Sequence, residues 1–136
     1  MRILAIDYGK KRIGLAVSDP LGFTAQGIET LPNLNKKQVL ADLSKICKDF
    51  EVSEIVIGLP INMNGTPGPK AAEITEWIPV LEKELGLPVK TLDERLTSRQ
   101  AGRLMIAEGL SRKRQKENSD RLAATLILQM FLEMRR

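Results

Sequence analysis

The sequence predicts an α/β fold: a five-stranded mixed sheet, an antiparallel meander joined to parallel strands, flanked by helices. Three observations carry that prediction. Three strand-like runs come first, joined by tight turns. The apolar spacing then changes from alternation to helical periodicity. Two further short apolar runs are each preceded by a helical stretch, which is the pattern of parallel strands.

Residues 2–7 contain the run Ile3-Leu4-Ala5-Ile6 and read as a buried strand. Residues 8–11 form a turn, and residues 13–18 are the second strand. Asp19-Pro20-Leu21-Gly22 is a turn signal. Residues 23–31 read as a third strand interrupted at Gly27. Val39, Leu40, Leu43, Ile46, Cys47 and Phe50 then follow helical spacing. Glu54-Ile55-Val56-Ile57-Gly58-Leu59 suits a strand buried on both faces, and Pro60 ends it. Residues 62–69 are a loop of turn formers. Ile74, Trp77, Ile78, Leu81 and Leu85 mark a second amphipathic helix, stopped by Gly86 and Pro88. Pro79 inside it should kink or break it. Residues 89–93 are the fifth strand. Thr97-Ser98-Arg99-Gln100 has the spacing of a capping box and opens a third helix that stops at Gly109. Asn118 or Ser119 caps the last helix, whose apolar face is Ala123, Leu126, Ile127, Met130 and Phe131. The basic segment before it is the expected flexible stretch. The right-handed crossover rule places the fourth strand beside the first.

At 136 residues the chain is expected to form one domain, residues 1–136, with a real hydrophobic core. Its apolar and charged fractions, 43% and 28%, are those of a soluble globular protein. No apolar run approaches the ~20 residues of a membrane span. The chain opens directly on strand-like sequence, so no signal peptide and a cytoplasmic location are expected. The single cysteine, Cys47, excludes an intramolecular disulfide or a zinc–thiolate cage and reads as a core residue. The absence of histidine removes the commonest general base and metal ligand. Net charge is +4, clustered in Lys10-Lys11-Arg12, in Arg112 to Lys116 and at Arg135-Arg136. Clustered charge attracts a polyanion, although the same residues also serve solubility.

Three carboxylates stand where chemistry would want them. Asp7 ends the first strand, Glu94 follows the fifth, and Asp120 opens the last helical stretch. Ligands in such sheets gather at the carboxyl ends of the parallel strands, where Asp7 and Glu94 fall. Carboxylates suit hard divalent cations, and two ions about 3.5–4 Å apart can stabilise both the attacking and leaving oxygens of a phosphodiester. Each acid alone has a plainer explanation. An Asp at a strand end before a glycine is often a turn residue. Asp120 could merely complement the helix macrodipole. Glu94 could merely pair with Arg95 or Arg99. The stretch from Asp7 to Gly14 also has a phosphate-loop character, as in sugar kinases and actin-like ATPases. Those proteins enclose nucleotide between two such domains, and this chain has no second Asp-x-Gly motif followed by a comparable strand.

The motifs taken in order resemble a known family. Ile6-Asp7-Tyr8-Gly9 with Arg12-Ile13-Gly14-Leu15-Ala16, Ile57-Gly58-Leu59-Pro60 with Asn62-Met63-Asn64-Gly65-Thr66, Asp93-Glu94-Arg95-Leu96-Thr97-Ser98, and Asp120-Arg121-Leu122-Ala123-Ala124 are similar to successive motifs of the YqgF/RuvX family. The resemblance implies an RNase H-like fold related to Holliday junction resolvases. It implies a nuclease dependent on Mg²⁺ or Mn²⁺, with a role in maturing the 5′ end of pre-16S ribosomal RNA. By position, Asp7, Glu94 and Asp120 match the acidic motifs and would be both catalytic residues and ligands of two ions, Asp7 bridging them. Asn62 and Asn64 fall in a loop matched beside the site, and Arg95 and Thr97 would position phosphate. Lys10, Lys11, Arg12, Arg112, Lys113, Arg114 and Lys116 would hold the flanking backbone. Aromatics are few, and Tyr8 is the one expected to meet nucleic acid. The expected partner is structured precursor rRNA, within a ribosome assembly intermediate, or else branched DNA. The chain would be a monomer or a homodimer, the last helix offering a dimer face. The alternative from another class is a module that binds rRNA without cutting it.

Overall fold

The computed structural model describes residues 2–61, 64–93 and 112–135, and the side chains of 112–120 lie outside that description. Its strands are β1 (Arg2–Tyr8), β2 (Arg12–Ser18), β3 (Ala25–Pro32), β4 (Val52–Leu59) and β5 (Val89–Asp93). Its helices are α1 (Lys36–Asp49), α2 (Pro69–Leu85) and α3 (Arg112–Met134). The sheet order is β3-β2-β1-β4-β5. β1–β2 and β2–β3 are antiparallel, while β1–β4 and β4–β5 are parallel. The crossover therefore seats β4 beside β1 as expected, and β1 lies at the centre.

Both faces of the sheet are covered. Leu4, Ile6 and Tyr8 of β1 pack with Ile55 and Ile57 against Val39, Leu43, Ile74, Trp77 and Leu81 of α1 and α2. Ile3 and Ala5 pack with Ala16, Val56 and Leu92 against Ala124, Ile127, Leu128, Phe131 and Leu132 of α3. Successive side chains of a strand point to opposite faces, which is why the run 3–6 is apolar throughout. Ile127 and Phe131 of the expected apolar face of α3 are buried against the sheet, while Leu126 and Met130 stay half-buried. No helix among the described residues is long and apolar enough to cross a membrane.

Three expectations change. The last helix begins at Arg112 rather than after Asn118 or Ser119, so residues 112–116 are helical. Arg, Lys, Gln and Glu are good helix formers, and no Gly or Pro interrupts residues 112–134. Two cap-type residues mid-segment do not outweigh them. α2 runs unbroken past Pro79, which is solvent-exposed, so water can satisfy the carbonyl that Pro79 leaves without a donor. The third strand begins at Ala25 and carries a register shift. Leu15 pairs with Glu29 and Ala16 with Gly27, leaving Ile28 as the extra residue of a β-bulge. The helix expected over 97–109 lies outside the described residues.

Candidate active site

Asp7 sits near the carboxyl end of the central strand. Alternation along β1 puts it on the α3 face with Ile3 and Ala5, and it is half-buried. On one side it pairs with Gly14 of β2. On the other, Ile6 pairs with Ile57, so the next β4 position is Gly58. Both glycines are buried. The carboxylate thus rises from a stretch of sheet with no side chain on either flank. Among the described residues it has no hydrogen bond or ion pair. Partial burial of an unpaired carboxylate is unfavourable, and an added cation would relieve it.

The turn after β1 is held from elsewhere. Asn33 Nδ2 donates to the Gly9 carbonyl at 2.8 Å, and the Asn33 amide donates to the Lys11 carbonyl at 2.8 Å. Gly9 has no room for a side chain, since a Cβ would lie 2.2 Å from the Arg12 carbonyl oxygen. Tyr8 points to the opposite face, only 2% exposed. Its hydroxyl donates to Glu73 Oε1 at 2.8 Å and accepts from Lys36 Nζ. Lys36 also lies 4.1 Å from the Tyr8 ring centroid and 4.8 Å from that of Trp77. The Tyr8 and Trp77 rings meet at 5.1 Å and 55°. Tyr8 is therefore a clamp tying β1 to α1 and α2. Its ring has no surface to offer a base.

The remaining predicted residues divide by position. β5 ends in register with β4, Asp93 opposite Leu59, at the edge where β1 also ends. Glu94 follows Asp93, and with Arg95, Thr97 and Asn62 it lies outside the described residues. Position 120 lies in α3, four residues before Ala124 and seven before Ile127, and its side chain lies outside the described residues. α3 crosses diagonally: Arg121 lies against Gly27 of β3, and Arg135 pairs with Glu54 at the start of β4. Its N-terminal turns hold Arg112, Lys113, Arg114 and Lys116, whose side chains lie outside the described residues. Lys10 and Lys11 are exposed on the turn at the edge where Asp7 lies, and Arg12 is half-buried beside it. Asn64 is spent on its own loop, its Oδ1 accepting from the Thr66 amide at 3.0 Å and hydroxyl at 2.6 Å. Cys47 is buried, and burial pushes its thiol up to about 11, so it is no nucleophile at neutral pH.

Among the described residues no three metal-ligating side chains converge. Of the three predicted ligands, Asp7 alone has a described side chain, and it fits a hard divalent cation: an unpartnered oxygen donor with space beside it. Sequence reasoning missed Asn33, Lys36 and Glu73, which hold the strand end. It also missed Thr30, whose hydroxyl is buried without a hydrogen-bond partner among the described residues. Such a group costs about 1–3 kcal/mol unless something satisfies it.

A mixed sheet of this order, helices on both faces and an acid at the end of its central strand define a resolvase-type, RNase H-like fold. Solved structures agree. T. thermophilus RuvC in complex with a Holliday junction substrate matches with a TM-score of 0.60 at 20% identity, over 98% of this chain and 96% of that one. The fowlpox virus Holliday junction resolvase matches with a TM-score of 0.58 at 16% identity, over 98% and 99%. Residues 1–134 match the family model described as "RuvX: Holliday junction resolvase", and the chain belongs to the RuvX family. A Syntrophomonas wolfei protein is 50% identical over 133 residues, 98% of this chain and 94% of its own length. One from Clostridium novyi is 48% identical over 133 residues, 98% of each. Both carry the name "Putative pre-16S rRNA nuclease".

Proposed function

We propose that this chain is a divalent-metal-dependent endonuclease that hydrolyses phosphodiester bonds of structured RNA, trimming the 5′ end of pre-16S rRNA in the cytoplasm. The observation that carries the reading is the Asp7 carboxylate, half-buried, without a partner among the described residues and flanked by Gly14 and Gly58. Asp7, Glu94 and Asp120 would hold Mg²⁺ or Mn²⁺, which when bound supplies charge stabilisation to the attacking and leaving oxygens. The chain's own contribution is placement. Strand β1 is clamped through Tyr8, so the carboxylate starts from a fixed backbone. The bare flanks let a phosphate approach it. Lys10, Lys11 and the basic start of α3 attract the backbone. The family name of the curated relatives supports rRNA as substrate.

A second reading is a Holliday junction resolvase, supported by the family description and by likeness to RuvC over nearly the whole chain. That activity needs two sites related by two-fold symmetry. The test is cleavage of matched precursor 16S rRNA and four-way DNA junction with Mg²⁺, by the wild-type and Asp7→Asn proteins. Metal-dependent cutting at the rRNA 5′ end, lost in Asp7→Asn, supports the first reading. Symmetric junction cleavage with untouched rRNA supports the second. Tight rRNA binding without cleavage of either substrate would leave a binding module.

A further inference from the structure

The α3 face holds a second polar feature beside Asp7. A groove of about 430 Å³ lies between β3 and α3, lined by Arg12, Ile28, Glu29, Thr30, Pro32 and Arg121. It is level with the carboxylate: Asp7 pairs with Gly14, and Gly14 pairs with Thr30. Two strand spacings separate Asp7 from Thr30, roughly 10 Å. Arg121 is led into this groove by the sheet itself. Its stem crosses β3 at Gly27, where a Cβ would lie 2.4 Å from Cγ and 2.8 Å from Cδ. The bulge at Ile28 follows directly. The Thr30 hydroxyl is buried and has no hydrogen-bond partner among the described residues. Of the described lining residues, Arg121 and Arg12 are cationic and Glu29 is acidic, and Arg121 is exposed.

We propose that Arg121 and Thr30, with Arg12, form a subsite for a backbone phosphate of the substrate strand, beside the phosphate that meets Asp7. The proposal rests on the nuclease reading above and adds a binding element to it. A guanidinium gives the charge-assisted contact, and the unpaired hydroxyl gives the directional one. Gly27 is what admits Arg121 to that place. Recognition is of the phosphodiester and not of base or sugar, so it should be indifferent to sequence.

The test measures binding of one hairpin, as RNA and as DNA, over a salt series, in an Asp7→Asn background that cannot cut. Arg121→Gln should weaken both hairpins about tenfold and reduce the log K versus log salt slope by about 0.7–0.9. Thr30→Val should weaken both severalfold without changing the slope. Gly27→Ala retains every charge but displaces Arg121, and should reproduce the Arg121→Gln loss while circular dichroism stays unchanged. An unchanged slope and affinity in Arg121→Gln overturn the subsite alone. A loss confined to the RNA hairpin also overturns it, because a phosphate contact is common to both. Shifts of the Thr30 and Gly27 amides with inorganic phosphate but not with either hairpin would assign the groove to a free anion and refute the proposal. If the Asp7→Asn protein binds neither hairpin, and wild type cuts neither the rRNA nor the junction, subsite and nuclease reading fall together.

Discussion

Two aspartates stand near strand ends at opposite edges of the sheet, and the chain uses them in opposite ways. Asp19 follows β2 and is wrapped by its own turn. Its carboxylate accepts from the amides of Leu21 at 3.2 Å, Phe23 at 2.8 Å and Thr24 at 2.6 Å, and from the Thr24 hydroxyl at 3.1 Å. The Asp7 carboxylate, in β1, accepts nothing from the described residues. The turn that follows it is closed by Asn33 instead. The difference shows how one residue type becomes structural or chemical. A carboxylate saturated by backbone amides has no lone pairs to spare for a ligand. One whose turn is stabilised by another residue keeps them. Asp7→Asn should therefore lower cleavage roughly a thousandfold, the several kcal/mol an ion can supply. Its thermal midpoint in metal-free buffer should equal or exceed that of wild type, since an unpaired charge is removed. Mg²⁺ should raise the midpoint of wild type and not of Asp7→Asn. Equal metal stabilisation of both proteins would remove Asp7 from the site.

Tyr8 sharpens the contrast because it is adjacent to Asp7 and faces the other way. Tyr8→Ala should cost about 3–5 kcal/mol in denaturant unfolding, as for other buried aromatics. Asp7→Asn, one residue away, should cost nothing. A loss below 1 kcal/mol for Tyr8→Ala would mean the clamp with Lys36, Glu73 and Trp77 is not holding the strand. Asn33→Ala should fall between them. It removes a side-chain hydrogen bond to Gly9 and a contact with Lys36, roughly 1–2 kcal/mol. It should also lower kcat more than it raises KM, because the strand end carrying Asp7 loosens. An unaltered kcat with reduced stability would confine Asn33 to a structural role.

Much of this was legible in the amino-acid order. The meander follows from three runs and two tight turns, and the place of β4 from crossover handedness. Asp7 stood out because a carboxylate ends an apolar run. Alternation along that same strand also separates Tyr8 from Asp7, so the opposed faces could have been read from the sequence. The start of α3 could not, because Asn118 and Ser119 resemble a cap while the residues before them favour helix. Asn33, Lys36 and Glu73 were hidden for another reason. They reach Tyr8 and Gly9 from 24 to 65 residues away, and no local pattern records such a contact. Thr30 and Arg121 were hidden likewise, since the missing side chain at Gly27 is what admits Arg121 to that part of β3.

The smallest effect concerns Asp19 and pH. The Thr24 amide is the main cause that lowers its pKa below the ordinary 3.8; partial desolvation opposes it, and the Phe23 and Leu21 amides and the Thr24 hydroxyl assist. The folded value lies below the unfolded one, so this stabilisation is complete above about pH 4 and fades as pH falls through the folded value. Between those two values the unfolded chain binds the proton first, which favours unfolding. Asp19→Asn keeps one oxygen acceptor and removes the titration. Its thermal midpoint should lie below that of wild type by a constant amount between about pH 5 and 7, and the gap should narrow on further acidification. Because the carboxylate is solvent-exposed, the gap should be small and should shrink with added salt. A gap that stays constant down to about pH 2.5 would mean the turn does not depend on the charge of Asp19. The Asp7/Asp19 contrast would then rest on geometry alone.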